Sequence, residues 1–202
     1  MITSLSQLDS NKKYDYSDYL LWQFKERVEL LKGQLFPMSA PNRVHQKISS
    51  KLHIKIGVFL SDDCDIYSAP FDVRLPLPSH RVKKDRIDTV VQPDLCVICD
   101  KSKLVKQGCV GAPELVVEIL SPGNSKREMK EKFDIYEEAG VLEYWIVEPA
   151  NKFVFVYILD EKTGKYAQKY LPGLTEDDTL ESTVLQGLKI ELKDIFPTEE
   201  YS

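Results

Sequence analysis

Apolar positions change their period several times along the chain, and each change marks an element. Val44, Ile48, Leu52, Ile56 and Phe59 recur at near-helical spacing, so residues 43–60 read as a helix, opened by the cap chemistry of Ser39, Pro41 and Asn42. Ahead of it, residues 15–31 mix Tyr16, Tyr19, Leu20, Trp22, Phe24, Val28, Leu30 and Leu31 with charges. Ser17 offers a cap for a first helix there, and Lys32-Gly33 is a stop or turn signal. Leu35-Phe36-Pro37-Met38 then reads as extended.

Beyond residue 65 the period shortens. IYSAPFDVRLPLP reads as an extended strand ending in Pro76 and Pro78, followed by a polar, basic loop from Ser79 to about Asp88. Residues 89–99 are a second strand region, and the charged connection DKSKLVKQG leads to Leu115-Val116-Val117-Glu118-Ile119-Leu120. That run is apolar and partly β-branched, bounded by Gly-Ala-Pro and Ser-Pro-Gly-Asn, and reads as a strand buried on both faces. KREMKEKFDIYEEA, residues 126–139, is a helix with Met129, Phe133, Ile135 and Tyr136 for its inner side, stopped by Gly140. Residues 143–148 and 153–159 form a hairpin across Pro149-Ala150-Asn151-Lys152, residues 165–171 and 185–192 are weaker strand candidates, and the tail is acidic. Helices and strands are segregated, with no repeat, so the expected class is α+β.

The 202 residues, 43% of them hydrophobic, suffice for one domain with a substantial core. No run of about 18 apolar residues is present, and the N-terminus lacks a basic then apolar leader. The expected location is the cytoplasm, with no membrane partner. Cys96 and Cys99 show Cys-x-x-Cys spacing, but on a strand they point to opposite faces, which suits neither a bridge nor a shared metal. Cys64, Cys96, Cys99 and Cys109 therefore read as buried, reduced thiols. The net charge of −5 argues against a broad nucleic-acid footprint. Positive charge nonetheless clusters at Arg81, Lys83, Lys84 and Arg86, at Lys101, Lys103 and Lys106, and at Lys126, Arg127, Lys130 and Lys132, each of which by itself reads as solvated surface.

Two carboxylates break the apolar pattern. Glu118 sits inside its strand, and Asp94 occupies the same kind of position, inside an apolar strand and just after Pro93. A carboxylate in such a setting needs a partner, a hydrogen-bond donor or a metal. Two on neighbouring strands repel, which raises one pKa, and a divalent cation between them removes both penalties. The plainer alternative is that each caps a strand end and meets solvent or an arginine. Glu128, Lys132 and Tyr136 are four apart and share a helix face. That face either carries an exposed ion pair or looks back at the carboxylates, where Lys132 would orient a water or offset charge on a phosphate. His45 reads as a satisfied, partly buried histidine, while His53 and His80 carry no metal-ligand spacing.

VVQPDLCVIC, GAPELVVEILSP and KEKFDIYEEAGVLEYWIVEP, preceded by RVELLKGQLFPMSAPNRVHQKI, resemble in order the blocks of the Uma-type putative restriction endonuclease family, within the PD-(D/E)xK nuclease superfamily. The resemblance spans about residues 20–160, leaving the C-terminal strands and acidic tail, about 161–202, outside it. It implies a restriction-endonuclease-like core with a central mixed sheet flanked by helices, and Mg²⁺-dependent hydrolysis of DNA phosphodiesters, with Mn²⁺ a possible substitute. By position, Asp94 and Glu118 would be ligands and Glu29 a third, with Lys132 assisting. Leu120 stands where the superfamily's lysine is usual, Gln34 where a second acid is common and Glu128 where an Asp is usual. Lys83, Lys84, Arg86, Lys126, Arg127 and Lys130 would contact DNA, and a homodimer would suit a two-stranded substrate. Two other readings remain open: a non-catalytic nucleic-acid-binding or self-associating module on a degenerate nuclease scaffold, and a metallohydrolase of small phosphoesters.

Overall fold

The structure, a computed structural model, describes residues 2–9, 11–80, 86–121 and 126–197. In chain order the elements are α1 (Tyr16–Tyr19), β1 (Val28–Leu31), β2 (Gln34–Pro37), α2 (Arg43–Phe59), β3 (Asp65–Ser68), β4 (Val73–Arg74), β5 (Val90–Val91) and β6 (Leu95–Ile98). They continue with β7 (Leu104–Val105), β8 (Gly108–Val110), β9 (Leu115–Ile119), α3 (Lys126–Ala139), β10 (Glu143–Glu148), β11 (Phe153–Asp160), β12 (Lys165–Gln168), β13 (Leu174–Thr175), β14 (Thr179–Glu181) and β15 (Lys189–Glu191).

The central sheet runs β12-β11-β10-β9-β6-β3, with β13 added on β11. It is mixed: β9 and β10 are parallel and joined through α3, while β6 is antiparallel to β9. A second sheet runs β2-β1-β5-β4-β8-β7. The pleat divides the core. Leu95, Val97, Leu115, Val117, Ile119, Trp145 and Val147 pack on one side with Ile48, Leu52 and Ile56 of α2. Cys96, Ile98, Val116, Tyr144 and Ile146 pack on the other with Ile135 and Tyr136 of α3 and Val73 and Val91 of the second sheet. The α+β class with a mixed central sheet is as expected.

Several local expectations differ. Residues 15–31 do not form one helix. Asp15, not Ser17, caps a helix that ends at Tyr19, accepting from the amides of Ser17 and Asp18. Val28–Leu31 becomes a strand because β2 and β5 pair on its two sides and all four residues are buried. Lys32 and Gly33, with φ of 49° and 78°, turn the β1–β2 hairpin, a two-residue loop that favours Gly. The two long extended segments each divide beside a proline, which lacks the N–H a ladder needs. Their halves enter different sheets: β3 and β6 the central one, β4 and β5 the second. DKSKLVKQG is no plain connection but carries a short 3-10 turn and part of the β7–β8 hairpin.

The cysteine reading is also corrected. Cys64 and Cys99 form a disulfide, while Cys96 and Cys109 are free and buried. Sequence spacing draws attention to Cys96 and Cys99. The β3–β6 register, with Asp65 opposite Ile98, instead sets Cys64 across from Cys99. No helix is long and apolar enough to cross a membrane among the described residues.

The C-terminal segment joins the α2-side core through Leu180, Leu185, Leu188, Ile190, Leu192, Ile195 and Phe196. It is fastened by Glu143, fully buried, which accepts from Trp145 Nε1 on one oxygen and from Ser182 Oγ and the amides of Thr183 and Val184 on the other. Four donors on a buried carboxylate make it a structural pin. Glu143→Ala should lower stability by about 3 kcal/mol or more in urea denaturation, because those donors lose their partner out of water. A loss below about 0.5 kcal/mol would refute this role.

Candidate active site

The pleat that separates the two core faces also places Glu118. Val116 and Glu118 point to the α3 side of β9, between neighbours that point to the α2 side. There Lys132 and Tyr136, one helical turn apart on α3, both reach it. Lys132 Nζ lies 2.9 Å from Glu118 Oε1, and the Tyr136 hydroxyl donates to the same oxygen at 2.6 Å. Lys132 Nζ also lies 3.0 Å from Glu29 Oε1, which accepts from the Gln92 amide at 2.8 Å. One ammonium thus joins carboxylates from β1 and β9.

Asp94, expected inside a strand, instead stands immediately before β6, in the bend that follows Pro93. Leu95 pairs with Val117, so continuing that register sets Asp94 opposite Glu118. Its Oδ2 accepts from the Ile119 amide at 2.7 Å and from His45 Nε2 at 3.1 Å. A carboxylate only accepts, so Nε2 carries the hydrogen. His45 comes from the first turns of α2, where Asn42 caps its amide. His45 Nδ1 and Glu29 Oε2 are buried with no hydrogen-bond partner among the described residues. Asp94, Glu118, Lys132, His45, Arg27 and Glu128 line one open cleft of about 200 Å³.

The electrostatics follow from burial. Desolvation pushes the Glu118 carboxyl up to about 7; Lys132 opposes that rise, and Asp94 and Glu29 add to it. Burial disfavours the Lys132 charge, but Glu118 and Glu29 outweigh it and hold the ammonium above the ordinary lysine range. Burial, then the Glu118 charge, raises the Tyr136 phenol well above its usual value, which keeps it a donor.

The structure thus brings Lys132 into contact with Glu118 and sets Asp94 opposite Glu118 on the same cleft. Glu29 meets them through Lys132, and no group of three His, Cys, Asp or Glu side chains arranged to hold a metal occurs among the described residues. Of the proposed DNA contacts, Lys83 and Lys84 lie outside the described residues, as do the side chains of Lys126 and Arg127. Lys130 is exposed on α3, and Arg86 pairs with Asp15 at 3.1 Å. In the separate basic cluster, Lys101 approaches Asp65 and Lys103 pairs with Glu114. Two contributors carried no sequence signal. Arg27 donates through Nε and Nη2 to Gln92 Oε1, and Gln92 is fixed in turn by Asp72.

A mixed sheet between helices, with acidic side chains at the ends of β6 and β9 and a lysine brought to them by α3, defines a restriction-endonuclease-like α+β protein. The profile of the Uma2 family, described as "putative restriction endonuclease", matches residues 16–193, and the chain belongs to that family. The crystal structure of a putative nuclease of the DUF820 group from Anabaena variabilis superposes with a TM-score of 0.68, at 17% identity, covering 91% of this chain and 97% of that one. That likeness is one of fold. An uncharacterized protein of Synechocystis sp. is 25% identical over 138 residues, 67% of this chain and 68% of its own length.

The Glu118 environment sets a pH response of the metal-free protein. An ordinary glutamate loses its proton near 4.5, whereas the folded Glu118 keeps it to about 7. Its contribution to stability is thus full below 4.5 and declines as pH rises to about 7. Carboxyl NMR should show a Glu118 midpoint near 7, lowered by Asp94→Asn, which removes a like charge. An ordinary midpoint unaffected by Asp94→Asn would contradict the assigned proximity.

Proposed function

We propose that the protein is a Mg²⁺-dependent DNA endonuclease that hydrolyses phosphodiester bonds. The observation that carries this reading is Lys132 held against Glu118 while Asp94 stands opposite it at the wall of an open cleft. The donor chemistry fits the cation: carboxylate oxygens are the ligands Mg²⁺ prefers, and it retains several waters. Glu118 is contacted on Oε1 and Asp94 on Oδ2, so each has a second oxygen with no hydrogen bond among the described residues. Asp94 and Glu118 would hold the ion, and Glu29, with Oε1 occupied by Lys132 and the Gln92 amide, anchors the lysine.

When bound, Mg²⁺ supplies Lewis-acid polarisation of the phosphoryl oxygen and a more acidic water. The chain supplies the rest. Lys132 presents a fixed positive charge to the water and to the oxygens that gain charge as a water oxygen bonds to phosphorus and one P–O ester bond breaks. Tyr136 fixes the Glu118 rotamer, and His45 with the Ile119 amide fixes Asp94. These contacts reduce the reorganisation needed at the reacting centre.

Plasmid cleavage with Mg²⁺ or Mn²⁺ tests the reading. Asp94→Asn and Glu118→Gln should each lower the rate by about a hundredfold or more. Lys132→Met should do the same, with circular dichroism as the control for folding. Tyr136→Phe removes one donor and keeps the ring, and should cost about tenfold. Cleavage that needs no metal, or that survives both acid substitutions, would overturn the assignment. DNA binding without cleavage at any metal would assign the scaffold to binding alone.

A further inference from the structure

The cleft continues into a second cavity of about 370 Å³ along α2. Arg27, Pro41, His45 and Asp94 line both, so the two form one trough. The α2 wall includes, with His45 and Ile54, the polar residues Gln46, Ser49, Ser50 and His53, at spacings of three and four that place them on a single helix face. Ser68, at the end of β3, stands across from them, with His53 Nδ1 2.7 Å from its hydroxyl.

The lining chemistry is one-sided. Apart from Asp94 at the junction, every polar side chain in the cavity can donate a hydrogen bond, and none is a carboxylate. Arg27 sits at that junction. Its Nε and Nη2 donate to Gln92 Oε1 at 3.1 and 2.8 Å, and Gln92 Nε2 donates to Asp72 Oδ1 at 2.8 Å. The fork is therefore fixed through a neutral amide, and no carboxylate pairs with the Arg27 charge among the described residues. Hydroxyls, an imidazole, an amide and an oriented guanidinium are the groups that hold backbone phosphates without reading sequence. In a chain of net charge −5, a lining whose one acid is Asp94 at the junction is a local departure.

We propose that this second cavity binds the phosphodiester backbone of the nucleic-acid strand beside the scissile bond, with Arg27 as the principal contact and Ser49, Ser50 and His53 along the strand. This rests on the nuclease reading for what occupies the first cleft, but it concerns binding, not chemistry. It gives the substrate a path: the strand lies along α2 and passes Arg27 to reach Asp94 and Glu118.

The test measures binding of a short fluorescein-labelled DNA duplex by fluorescence anisotropy in EDTA, beside cleavage kinetics in Mg²⁺. Arg27→Met should weaken binding about tenfold. It should also reduce the slope of log affinity against log salt by about 0.9, the signature of one lost phosphate contact. Ser50 is exposed, so Ser50→Glu introduces a repelling charge without disturbing the core, and should weaken binding several-fold where Ser50→Ala does not. Lys165→Ala, on the far edge strand β12, removes the same charge as Arg27→Met and should leave affinity unchanged. Wild-type protein that does not bind the duplex, or affinity and KM indifferent to both Arg27→Met and Ser50→Glu, overturns the proposal. Binding that responds to both while no metal supports cleavage would sustain this subsite and remove the nuclease reading instead. Cleavage with unresponsive binding would do the reverse.

Discussion

The Lys132 ammonium is the point on which the site depends. It is almost wholly buried, and it bonds Glu29 of the second sheet and Glu118 of the central sheet from a third element, α3. Two carboxylates and one ammonium out of water are costly to assemble, and deleting one member of such a group costs about 3–5 kcal/mol because the others remain buried. The contact therefore fixes how α3 sits on the two sheets. It also leaves the group one negative charge in excess when both acids are ionised, which adds to the rise that burial imposes on the Glu118 pKa and that Lys132 opposes.

The other half of the site is anchored differently. Asp94 is tied to a backbone amide of β9 and to a histidine of α2, so it joins the two strands to the helix on the opposite face. The cleft forms where these two anchorages face each other, at the ends of antiparallel β6 and β9. Each carboxylate is gripped through one oxygen. Under the proposed reading, rigid first contacts with free second oxygens would leave little ordering to be done when a cation binds. The same economy of contact recurs at Arg27, where Gln92 orients a cation without neutralising it.

Much of the core was legible in the pattern of side chains. The α2 stripe Ile48, Leu52 and Ile56, the strand around Glu118, the α3 helix and the β10–β11 hairpin all occur as their periods suggest. The helices bury one face, the hairpin strands are neighbours in sequence and the strand around Glu118 is a continuous apolar run, so local pattern suffices. The four-residue spacing of Lys132 and Tyr136 foretold a common face, and both side chains meet Glu118. The short strands were less legible. Val28–Leu31 has the composition of a helix or a strand, and pairing with β5, far along the chain, decides between them. The disulfide follows the same logic, since Cys64 and Cys99 are 35 residues apart and meet only through strand register.

The chain of residues was enough to show that two acids stand among apolar strand segments, that a lysine-bearing helix follows the second, and that the class is α+β. Those are properties of periodicity and of the cost of burying charge. Only the folded chain shows that Glu29 stands behind Lys132, that His45 and the Ile119 amide hold one oxygen of Asp94, and that Arg27 links the two cavities. The reason is that hydrogen bonds between distant segments depend on sheet register and helix placement, and neither leaves a period in the chain.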